Sequence, residues 1–98
     1  MAKYILLWEV DSTRTPEDGK TKKAQWLGFQ DMVARHLKEG LMKAWGGFVG
    51  EMKGFAIFEG SATDLHTITA TWTPFVKFNV REILSVEEVN KATKALPE

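Results

Sequence analysis

Two periodicities alternate along the chain and predict its elements. Lys3–Val10 carries the near-continuous apolar run Tyr4-Ile5-Leu6-Leu7-Trp8, the signature of a strand buried on both faces. Asp11–Lys23 is polar, holds Pro16 and Gly19, and reads as a loop with a helical turn opened by Thr15-Pro16-Glu17-Asp18. Trp26, Phe29, Val33 and Leu37 then recur at helical spacing, while Asp31, Arg35 and Glu39 step along the opposite face. Gly40 supplies the stop, so a helix is predicted from about Lys22 to Glu39. Leu41–Gly50 and Phe55–Glu59 read as two strands of a hairpin around Glu51-Met52-Lys53-Gly54. Ser61-Ala62-Thr63-Asp64 caps a second helix with the stripe Leu65, Ile68 and Trp72, ended by Pro74. Val76–Leu84 is a fourth strand. Ser85-Val86-Glu87-Glu88 is a capping box that opens a short helix to about Ala95.

The order β-α-β-β-α-β-α contains two β-α-β units, which predicts an α+β, ferredoxin-like sandwich with a four-stranded antiparallel sheet and both main helices on one face. One domain is expected over residues 1–98. Strand parity then sorts side chains between faces. Tyr4, Leu6, Trp8 and Val10, Ala56 and Phe58, and Val76, Phe78 and Val80 are expected under the helices, with Ala44 and Gly46 beside them. Ile5, Leu7, Trp45, Phe55 and Ile57 are expected to form an apolar centre on the open face, ringed by Glu9, Glu59, Lys43, Lys77, Asn79 and Arg81. An apolar patch of that kind marks an interface, and a second copy packed face to face about a two-fold axis covers it. Two such sheets enclose a barrel whose interior can hold a small ligand.

Composition narrows the field. Thirteen Lys and Arg balance thirteen Asp and Glu, which argues against nonspecific nucleic-acid binding. Cysteine is absent, so disulfides, thiolate metal sites and thiol nucleophiles are excluded. With 44% hydrophobic residues the chain is rich enough to fold, yet Tyr4–Trp8 is far short of a signal core or membrane span. A cytoplasmic protein, with no membrane partner, is expected. One tryptophan falls on each of the first two strands (Trp8, Trp45) and on each of the two main helices (Trp26, Trp72).

The opening strand Tyr4–Val10, the run Trp45-Gly46-Gly47-Phe48-Val49-Gly50, the Gly54–Gly60 strand and the closing Trp72-Thr73-Pro74-Phe75-Val76-Lys77-Phe78-Asn79-Val80 run carry a resemblance. Together they resemble the dimeric α/β-barrel superfamily, nearest an uncharacterised small-protein branch similar to muconolactone-isomerase-like proteins. The likeness covers essentially the whole chain and its motifs are architectural. It implies a homodimer with a ligand pocket, and no particular reaction.

Candidate chemistry follows from the open face. Glu9 and Glu59 are the acid/base candidates, since a carboxylate on an apolar sheet can shuttle protons. Arg81, Lys43 or Asn79 could hold a substrate carboxylate or oxyanion, and Trp8, Trp45, Phe55 and Ile57 could wall an aromatic ligand. Ion pairing across the dimer and plain core packing are the competing readings. His36 and His66 lack the spacing of a metal site, Ser61 and Ser85 read as caps, and no metal or cofactor is expected. A haem-degrading relative of the fold uses Asn, Trp and His, but the first strand here offers Glu9 in place of the Asn. Lys53-Gly54-Phe55-Ala56 begins like an RNA-binding strand motif, then departs at Ile57 and Gly60. Two function classes stay open: a cofactor-independent isomerase or monooxygenase, and a non-enzymatic ligand carrier or dimerisation domain. RNA binding through the sheet face is a remote third.

Overall fold

A computed structural model describes residues 2–97; residues 1 and 98 of the expected domain lie outside the described residues. The chain runs β1 (Lys3–Val10), a 3-10 turn (Ser12–Arg14), α1 (Gly19–Glu39), β2 (Met42–Gly47), β3 (Lys53–Glu59), α2 (Ala62–Trp72), β4 (Val76–Ile83) and α3 (Val86–Lys94). Helix α1 starts three residues before the expected Lys22, because Asp18 itself is the cap. Its carboxylate accepts the Thr21 backbone N–H at 2.8 Å. Gly40 ends α1 in the left-handed conformation at φ 89°, its N–H bonded to the Leu37 carbonyl. The threonines of α2 fit a helix by returning hydroxyls to the preceding turn, Thr67 to the Thr63 carbonyl and Thr71 to that of Thr67.

The four strands form one antiparallel sheet in the order β2-β3-β1-β4. With α1 and α2 this is the ferredoxin-like α+β arrangement. Opposite Leu6 stand Ala56 on β3 and Val80 on β4, and opposite Leu7 stand Phe55 and Asn79. Alternation sends Leu6 (1% exposed) into the core and Leu7 (40%) to the open face. The core joins Leu6, Ala56, Phe58 and Val76 of the sheet to Val33 of α1 and Leu65, Ile68 and Trp72 of α2. It therefore lies on the helix side alone.

One strand departs from simple alternation. Met42 pairs with Phe58 and Ala44 with Ile57, leaving Lys43 in a bulge. The extra residue reverses the expected parity of β2. Trp45 stands opposite Ala56 on the helix side, and Ala44 and Gly46 stand opposite Ile57 and Phe55 on the open side. The expectation that Trp45 belongs to the open face is thus corrected, because one unpaired residue turns over every side chain after it.

The third helix stands apart. None of the main packings between elements involves α3, and no α3 residue enters the core. The described residues measure 61 × 26 × 21 Å with a radius of gyration of 16.4 Å. A compact chain of this length would have a radius of about 13 Å.

Candidate functional site

A hollow of about 150 Å³ lies between the sheet and the two packed helices. All four tryptophans wall it: Trp8 from β1, Trp45 from β2, Trp26 from α1 and Trp72 from α2. Leu6, Phe29, Val33, Ile68 and Phe78 complete most of the wall. Besides the indoles, the polar residues among its described lining are Gln30 and Glu51, both exposed at the rim.

The wall is shaped by close contacts. Trp8 and Trp45 stack with ring centroids 5.2 Å apart and planes 5° from parallel. Trp8 fits because its partner on β3 is Gly54. A Cβ there would run into the Trp8 ring and the Gly46 carbonyl oxygen. Gly54, with Gly47 beside it on β2, leaves the slot that this indole fills. Phe29 meets Trp72 at 5.4 Å in a tilted pair.

Two of the four indole N–H groups are engaged within the fold. Trp8 Nε1 donates to the Phe55 carbonyl at 3.2 Å. Trp72 Nε1 donates to His36 Nε2 at 3.3 Å, which places the imidazole hydrogen on Nδ1, 3.8 Å from Glu39. His36 thus orients a wall residue. Trp26 Nε1 is buried with no acceptor, while Lys22 Nζ stands 5.9 Å from the centre of its ring. An unmet buried donor costs about 1–3 kcal/mol, which a bound acceptor would recover.

The expected open-face residues are distributed as follows. Phe55 and Ile57 are half-buried beside Ile5 and Leu7, with the Phe55 ring lying over Gly46. Arg81 is level with Ile5 and Asn79 with Leu7, both exposed; Lys43 sits in the bulge. Glu9 pairs with Lys53 at 3.8 Å, both about half-exposed, and stands across from Lys77 on its other side. Glu59 stands across from Lys3 at the far end of β1. Six positions along the strand separate the levels of the two glutamates, roughly 20 Å. One small substrate cannot touch both within a chain. Of the expected ligand residues, Trp8 and Trp45 line the hollow; Lys43, Phe55, Ile57 and Asn79 do not.

Sequence reasoning placed the tryptophans on four separate elements without bringing them together, and did not single out Gln30 or Glu51. One bulky indole on each element of the helix–sheet layer was the available signal. Among the described residues no cluster of three His, Asp or Glu could hold a metal ion, and no helix is long and apolar enough to cross a membrane.

The molecule is thus a small α+β domain of the ferredoxin-like type with an indole-walled apolar hollow under its helices. It belongs to the DUF3303 family, a domain of unknown function, whose profile matches residues 2–97. No curated protein matches the chain.

Proposed function

We propose that this protein is a homodimeric α/β-barrel protein that binds one small aromatic or partly apolar ligand in each subunit. The observation that carries the reading is the indole-walled hollow of about 150 Å³. An apolar cavity of about that size accepts a benzene-sized molecule. With its polar lining confined to the rim, the hollow favours one ring whose substituent reaches Gln30 or Glu51. The apolar centre of half-buried Ile5, Phe55 and Ile57 with exposed Leu7 is the surface on which a second copy packs. In this reading Glu9, Glu59 and Arg81 frame the sheet-to-sheet contact, and binding, not proton transfer, is the primary task. Support comes from their position, since all three lie on the face away from the hollow.

Native mass spectrometry of the full chain tests both halves together. The expected result is a dimer that takes up one indole per subunit when titrated with indole. A monomer overturns the barrel, and a dimer that takes up no indole overturns the pocket. Phe55→Arg should yield monomer that still binds indole. Glu9→Gln should leave indole binding unchanged; its loss would return Glu9 to the site.

A further inference from the structure

We infer that α3 is an arm exchanged between two copies of this chain, packing its apolar stripe on the partner subunit. The inference rests on the homodimer proposed above and adds the element that completes it. The stripe is well defined. Val86 (84% exposed), Val89 (49%) and Thr93 follow a spacing of three and four residues, so they share one face, and Leu96 (68%) follows just past the helix end. Glu87, Lys91 and Lys94 occupy the opposite face. Ser85 and Glu88 close a capping box at its start, so the segment is encoded as a helix rather than a loose tail.

Isolated nine-residue helices are marginal in water and are held by packing of an amphipathic face. Among the described residues, none of the main packings between elements supplies that contact. The helix follows β4 after Leu84 and Ser85 and helps extend the described chain to 61 Å, well beyond a compact body. The stripe must therefore be covered from outside its own chain.

The area needed for a stable dimer identifies the cover. Four strands about 4.8 Å apart and seven residues long present a sheet face of roughly 450 Å². A stable interface buries about 800 Å² per partner. Sheet against sheet falls short alone. Each exchanged arm, roughly 15 Å long and 10 Å wide, adds its own stripe and the patch it covers on the other copy, about 300 Å² per subunit. The two contributions together reach the required size, and a two-fold axis applies both arms at once.

Sedimentation equilibrium on the full chain tests the arm. The triple variant Val86→Asp, Val89→Asp, Leu96→Asp alters side chains already exposed in the single chain, so the body should fold, as judged by near-ultraviolet dichroism of its tryptophans. Its dimer dissociation constant should rise at least 100-fold, whereas the opposite-face variant Lys91→Ala should stay within threefold of wild type. A triple variant that dimerises as tightly as wild type overturns the exchanged arm while leaving the sheet-to-sheet dimer standing. A wild-type chain that is monomeric overturns the dimer and the arm together.

Discussion

The indole of Trp8 lies flat against that of Trp45, 5.2 Å between centroids, and the pair forms the sheet-side wall of the hollow. The two residues are distant in sequence and on strands that do not neighbour each other, because β3 runs between them. Gly54 on that middle strand allows the contact, since any side chain there would hold the rings apart.

Trp45→Ala should therefore open the hollow and weaken the protein. A fully buried tryptophan costs about 3–5 kcal/mol on truncation, and Trp45 is half-buried, so about 2 kcal/mol is expected. Urea unfolding measures this. Indole binding should weaken in parallel, whereas Phe48→Ala, on the exposed loop after β2, should change neither.

Two glycine substitutions should act in opposite directions. Gly54→Ala forces the new methyl into Trp8 and the Gly46 carbonyl, an overpacking expected to cost about 3 kcal/mol. Gly28→Ala falls in the middle of α1 with open space around it. It should gain about 1 kcal/mol from helix propensity. Thermal melts of the two variants should move to opposite sides of wild type; a neutral Gly54→Ala would refute the slot.

Low pH should loosen the start of α1. The Thr21 backbone N–H, and then its hydroxyl, hold the Asp18 carboxyl below the ordinary aspartate value of 3.8. A carboxylate lowered in the folded state contributes stability that is fully present above 3.8 and lost as pH falls through the folded value. Asp18→Asn keeps a capping oxygen but cannot titrate. Its melting temperature should fall less steeply than wild type below pH 4. The slope should not vanish, because Thr13 lowers Asp11 and Ser85 lowers Glu88 in the same sense.

Ser85→Ala should unravel α3 without touching the body. The serine hydroxyl accepts the Glu88 N–H at 3.1 Å, and losing such a cap costs about 1 kcal/mol. Amide exchange in α3 should speed up about fivefold, while exchange at Leu6 and Ala56 stays unchanged.

The elements were legible in the sequence wherever the signal was local. The stripe Leu65, Ile68 and Trp72, the Gly40 stop and the Ser85–Glu88 box all depend on neighbours within a few residues, and the structure carries each of them. The four-stranded antiparallel sheet followed from the two β-α-β units. The bulge at Lys43 was not legible, because it depends on how β2 pairs with β3, and parity carried Trp45 to the wrong face as a result. The hollow was equally hidden: a void is what packing fails to fill, and no residue encodes it alone. The sequence also marked α3 as a helix but could not show that it stands clear of the body.

The strand order also has a consequence for how the chain is made. β1 is made before the other strands, yet its two neighbours in the sheet are β3, beginning at Lys53, and β4, beginning at Val76. Its backbone and the run Tyr4–Trp8 therefore have no strand partner until β3 has been made. The β2–β3 hairpin pairs locally, but β1 joins the sheet only through contacts distant in sequence, which favours slow assembly. During that interval the nascent protein exposes its most apolar strand, and a chaperone that grips short apolar segments would find a hold there.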